Sequence, residues 1–166
     1  MKARGIVVGV AVLAGIAVTG ASAGTAEERS CRGTLNAITV DNLRVPQGAT
    51  CVLRGTQIKG RLRILRGATL RATKILVVGN VQAENHAYVA VRRSQLGGSI
   101  QIVQGGGARL SANTIKGDIQ LFENRRSLTV ARNQVNGNLQ CKENRISPTG
   151  GGNVVQGTKQ DQCSRL

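Results

Sequence analysis

Six glycines, Gly60, Gly79, Gly98, Gly117, Gly137 and Gly157, stand 19, 19, 19, 20 and 20 residues apart. Around them one phrase returns: GNVQAEN at 79–85, GSIQI at 98–102, GDIQLFEN at 117–124 and GNLQCKEN at 137–144. A repeat of this length decides architecture before any single residue does, because each copy must fold alike and pack against the next.

Columns read against the glycine give the local structure. Two residues after it stand Leu62, Val81, Ile100, Ile119 and Leu139, and four after it Ile64, Ala83, Ile102, Leu121 and Cys141. Polar Gln82, Gln101, Gln120 and Gln140 separate them, which is the period of a strand with one buried face. A second alternating pair precedes the next glycine: Leu70 and Ala72, Val89 and Val91, Ala108 and Leu110, Leu128 and Val130. A third column, two before the glycine, holds Ile58, Val77, Leu96, Ile115, Val135 and Val155. Leu43, Val45, Cys51 and Leu53 extend the columns upstream, with Asp41 in the glycine place.

Each repeat thus carries three short strands and turns about five side chains inward, a face it can bury only against neighbouring repeats. The expectation is an all-β, single-stranded parallel β-helix of about six coils stacked some 4.8 Å apart, with disulfide-tied ends. A leucine-rich repeat is the competing reading, since LTVARNQV at 128–135 resembles its strand-and-asparagine phrase. The second strand directly after each glycine leaves no room for that repeat's helix. The glycines are expected at tight turns with positive φ, and Asn113, Asn133 and Asn153 at corners of the same kind. One Tyr, one Phe and no Trp agree with thin layers built from branched aliphatics.

The phrase in ANTIKGDIQ and ARNQVNGNLQ resembles the coil repeat of right-handed parallel β-helices of the pectate-lyase kind, whose coils are usually longer. Over about residues 30–163 the chain is also similar to a group of small secreted actinobacterial proteins of uncharacterised function. The resemblance implies architecture. It carries no catalytic residue over, because none of the lyase site motifs is present.

Residues 1–23 read as a secretory signal peptide: Lys2 and Arg4, an uncharged run from Gly5 to Gly20, then Ala21-Ser22-Ala23 before the cleavage point. The remaining organisation is an N-terminal cap over 24–40, repeats over 41–157 and a C-terminal cap over 158–166. Four cysteines in an exported chain are disulfides first. Cys31 and Cys51 lie one coil apart, and Cys141 and Cys163 one coil plus two residues, so each pair reaches across neighbouring strands. The other pairings would run from end to end of the rod. A metal centre is not expected, with no C-x-x-C and a single histidine, nor is any cofactor. Tied, capped ends favour a monomer, and no membrane span is expected after the leader is removed.

The formal charge is +15, falling to +13 without Lys2 and Arg4. Arg54, Arg71, Lys74, Arg92, Arg93, Arg109 and Arg132 fall in equivalent windows, on five successive coils, that contain no acid. In these windows the residue seven before the glycine faces in, and those eight, six and five before it face out or lie at a corner. Such a stripe fits a polyanion, an anionic cell-wall polymer first among them, held by counterion release. Without stacking aromatics, sequence-specific nucleic-acid reading is not expected. The glutamine column reads as a stacked amide ladder, and alternatively as a flat hydrogen-bonding face for a glycan or, in a structural rod, for a protein partner.

Glu123 and Glu143, both six after a glycine, are the one carboxylate pair that an enzyme reading as a glycosidase has to use. Arg125 and Arg145 follow them by two residues, which reads as local charge balance. His86 reads as an exposed turn histidine, and the glycine runs 105–107 and 150–152 as coil turns. The leading expectation is a secreted or envelope-associated, non-catalytic β-helix that binds an anionic polymer.

Overall fold

Apolar residues at alternate positions, interrupted by a turn every few residues, leave each strand one face to hide and no helix to hide it; the chain hides it by coiling. The computed structural model describes residues 27–166, and over these the chain winds about seven turns as a parallel β-solenoid. The leader expected over 1–23 lies outside the described residues. Each full turn lays one strand in each of three sheets, for example Val81–Glu84, Tyr88–Arg92 and Gln95–Leu96. The first sheet runs through eight strands, from Glu28–Ser30 to Lys159–Asp161. The second has seven, from Gly33–Asn36 to Thr149–Gly151, and the third seven, from Thr39–Val40 to Val154–Val155. Equivalent residues pair in parallel: Val81 lies between Leu62 and Ile100, and Val89 between Leu70 and Ala108.

The coils therefore run beyond the 41–157 span set by the columns. Glu28–Val40 supplies a further turn of the same three sheets, and Lys159–Asp161 opens another. Lys159–Asp161 follows the last glycine, Gly157, but Glu28–Val40 has no such marker before it, so counting glycines finds six coils where the backbone makes about seven.

The inward columns form one continuous core. Leu43, Leu62, Val81, Ile100, Ile119 and Leu139 are fully buried in one row, and Leu53, Ala72, Val91, Leu110 and Val130 in another on the second sheet. Burying each such Leu, Ile or Val side chain contributes about 1.5–3 kcal/mol. The ion pairs among the described residues, Arg44–Glu28, Lys59–Asp41 and Lys142–Glu143, are all partly or largely exposed and contribute little by comparison.

The repeat glycines turn out to serve close packing rather than positive φ. None of the six has positive φ. A β-carbon at Gly79 would stand 2.7 Å from the Gly60 carbonyl oxygen, and one at Gly137 2.8 Å from the Gly117 carbonyl carbon. Stacked coils approach too closely at this corner for any side chain. Positive φ is carried instead by two other columns, occupied by Lys74, Arg93, Ala112 and Arg132 at one corner and Asn85, Gln104, Glu123 and Glu143 at another.

Asn113, Asn133 and Asn153 correct a second expectation. They follow the positive-φ residue rather than supplying it, and all three are buried. The Asn113 Nδ2 donates to Asn133 Oδ1 at 3.0 Å and to the Val91 carbonyl at 2.9 Å; Asn133 repeats this with Asn153 and Leu110. Asn124 and Asn144 build the same ladder at the corner between the first and second sheets, ending on Gln162. These amides satisfy the carbonyls that a turn leaves unpaired inside the rod.

Both disulfides form as the one-coil spacing requires. Cys31 and Cys51 have Cα atoms 5.6 Å apart, and Cys141 and Cys163 5.3 Å, and no described cysteine is free. Each closes a loop of about 20 residues at one end, which contributes about 3 kcal/mol on the chain-entropy model. Two structural disulfides mark a chain that matures in an oxidising environment.

Candidate functional site

On the second sheet alternation decides what faces out. In Thr69–Thr73 the middle residue Arg71 is exposed while Leu70 and Ala72 are buried; in Gly107–Ser111 Arg109 takes the same place. Register sets Arg71, Ala90 and Arg109 in one outward column, and Arg54, Thr73 and Arg92 in the next. Lys74, Arg93 and Arg132 stand at the adjoining positive-φ corner. All seven basic residues singled out in the sequence thus line one face and its edge.

Spacing within each column is regular. Arg71 and Arg109 are two layers apart, as are Arg54 and Arg92, which is about 9.6 Å at the spacing of neighbouring strands. Ala90 points outward between the first pair yet is buried, so neighbouring side chains close over it. Arg71 also lies over the Tyr88 ring, its Cζ 5.4 Å from the centroid. None of the seven makes an ion pair among the described residues. The positive charge on this face is uncompensated from Arg54 to Arg132, four layers or about 19 Å along the rod.

The glutamine column is a hydrogen-bonded ladder on the first sheet. Gln82, Gln101, Gln120 and Gln140 each donate Nε2 to the next Oε1, at 3.2, 2.8, 3.0 and 2.9 Å, the last onto Gln160. Each interior amide has already spent a donor and an acceptor on its neighbours, so the column stiffens the sheet.

Glu123 and Glu143 occupy the same positive-φ column one coil apart. The expected local balance by Arg125 and Arg145 does not form. Glu123 Oε2 accepts from Gln104 Nε2 at 2.9 Å, and Glu143 pairs with the exposed Lys142 at 3.6 Å.

His86 is buried rather than exposed, at 2% relative accessibility. It stands in the inward position that Asn124 and Asn144 occupy in later coils, and neither ring nitrogen has a hydrogen-bond partner. Burial lowers its pKa from the usual 6.5, against a smaller opposing effect of the Gly107 backbone. The ring lies beside an open depression of about 540 Å³ whose lining includes Arg66, Arg125, Arg126, Gly105 and Gly106. The sequence columns missed this place. Its signal was the glycine run 105–107 in one coil, set against Arg66 two coils before it and Arg125 and Arg126 one coil after.

Among the described residues no group of three or more His, Cys, Asp or Glu side chains is arranged to hold a metal ion. Comparison with protein-family models, with curated proteins and with solved structures finds no match to this chain.

Proposed function

We propose that the protein is an exported, non-catalytic β-solenoid that binds an anionic polymer of the cell envelope along its second sheet. The observation that carries this reading is the set of seven basic residues on one face with no carboxylate partner. Like charges stacked on adjacent layers repel, and a polyanion laid along the axis removes that repulsion while releasing its own counterions. A linear array on a rigid rod suits a linear polymer better than a small ligand. The flanking ladders and disulfides keep the array straight without depending on the ligand.

Export follows from the leader expected over 1–23 and agrees with the disulfides. The resemblance to small secreted actinobacterial proteins agrees with export. The resemblance of the repeat to pectate-lyase-type coils bears on architecture alone, and no lyase site motif accompanies it. The test is co-sedimentation of the disulfide-bonded chain with cell-wall preparations before and after chemical removal of their anionic polymer. Retention on the intact wall and release from the stripped wall support the reading. Equal retention on both would move the partner to the wall's neutral components.

A further inference from the structure

We infer that the depression at the corner between the first and second sheets is a binding site for a single tetrahedral oxyanion, a phosphate or sulfate group. It lies off the second-sheet face and stands whether or not that face binds a polymer. The corner spans four successive coils. Arg66 belongs to the first of them, Ala87 and His86 to the second, Gly105 and Gly106 to the third, and Arg125 and Arg126 to the fourth. At two positions the third coil is kept bare for steric reasons: a β-carbon at Gly106 would meet the Ala87 carbonyl oxygen, and one at Gly105 the His86 ring, while Gln104 beside them lines the depression with its amide turned to Glu123 Oε2. That leaves a floor of backbone, with exposed arginines on both sides of it.

Three features point to an oxyanion. The arginines are free of any carboxylate within 4 Å among the described residues, so three guanidinium groups line the depression without an ion-pair partner. Guanidinium forks match the oxygens of a phosphate or sulfate. His86 lines the same depression, almost wholly buried, and neither ring nitrogen has a well-aligned hydrogen-bond partner, the Gly107 backbone acting on the ring only weakly against its burial. A neutral imidazole keeps one N–H donor, and a buried donor without an acceptor is costly. A ligand oxygen would satisfy it. The backbone does not compete for this role: Gly105 N–H donates to Asn124 Oδ1 at 3.1 Å and Gly106 N–H to the His86 carbonyl at 2.8 Å. Recognition therefore rests on the side chains, and the open mouth leaves room for the sugar or alkyl group that carries the anion.

His86 is the only histidine in the chain, so its ring resonances report on this place alone. The disulfide-bonded protein is titrated with inorganic phosphate, and separately with sulfate, at fixed neutral pH and with sodium chloride holding ionic strength constant. The site predicts saturable shifts of the His86 ring signals. In Arg125→Ser/Arg126→Ser, whose replaced side chains are exposed, the affinity falls about tenfold or more. Arg71→Glu/Arg92→Glu leaves the titration unchanged, which separates this site from the second-sheet face. Saturation by one anion only upholds the site and names its group. Absence of saturable shifts with both anions, or an unaltered titration in the double serine variant, overturns it.

Discussion

The His86 imidazole fills the space beside Gly105 in which a side chain at residue 105 would stand. One coil on, the equivalent position carries Asn124, whose Oδ1 accepts from Gly105 N–H. The ladder thus ends on a glycine because a histidine leans over it. Gly105→Ala is expected to destabilise the fold by about 2 kcal/mol through overpacking, and by at least 1 kcal/mol less in a His86→Ala background. A double-mutant cycle in urea measures this coupling; additive costs would mean that the two residues do not share the space.

Burial of His86 also sets a pH dependence. Its folded pKa lies below the usual 6.5, so the unfolded chain holds the proton more tightly. The stability from this group is fully present above about pH 6.5 and is lost as pH falls towards the lowered folded value, by at most about 1.4 kcal/mol per unit. Comparing urea midpoints of the wild type and His86→Gln at pH values of about 7.5 and 5 isolates the effect. The wild type should lose the larger increment on acidification.

Repeat glycines and positive-φ glycines should tolerate substitution to different degrees. A β-carbon at Gly117 would stand 2.9 Å from the Gly98 carbonyl carbon, whereas Gly48, at φ 66°, has nothing within 4 Å of its β-carbon position. Gly117→Ala is expected to cost about 2 kcal/mol or more, since backbone on the next coil must move. Gly48→Asn should cost under about 1 kcal/mol, because asparagine tolerates the left-handed region. Thermal melts of the two variants decide the order.

The two amide ladders differ in what they hold. Asn133 accepts from Asn113 N–H and Nδ2 and donates to the Leu110 carbonyl and to Asn153, all inside the rod. Asn133→Ala orphans those groups and should cost about 3 kcal/mol. Gln120, in the half-exposed ladder, can be replaced by Ala for about 1 kcal/mol or less, because water takes over its partners. Amide exchange of Asn113 N–H should rise sharply in the first variant only.

Most of this fold was legible because period-two columns repeat at a fixed interval: Leu62, Val81, Ile100, Ile119 and Leu139 identify a buried row whatever their turns do. The cysteine pairing followed from the same interval. What stayed hidden lies at the corners. Glycine at 79 or 117 reads alike whether φ or crowding requires it, and only stacked backbone separates the two. The asparagines at 113, 133 and 153 carried the right column but the wrong reason, since αL tolerance and inward ladders select the same residue. His86 was misplaced because its column is not uniform along the rod: His86 and Gly105 stand where later coils carry Asn124 and Asn144. On the basic face, alternation fixed which arginines point outward.

The central claim is that the second-sheet face binds polyanions by charge, and a salt series tests it most directly. Binding of the disulfide-bonded chain to anionic wall polymer and to duplex DNA is measured from low to high salt, beside a variant carrying Arg71→Glu, Lys74→Glu, Arg92→Glu and Arg93→Glu. The account predicts low-salt binding by the wild type, a steep linear fall of log affinity with log salt, and no binding by the folded variant. Wild-type protein that binds neither polymer at low salt, or a variant that binds as well as the wild type, would contradict it.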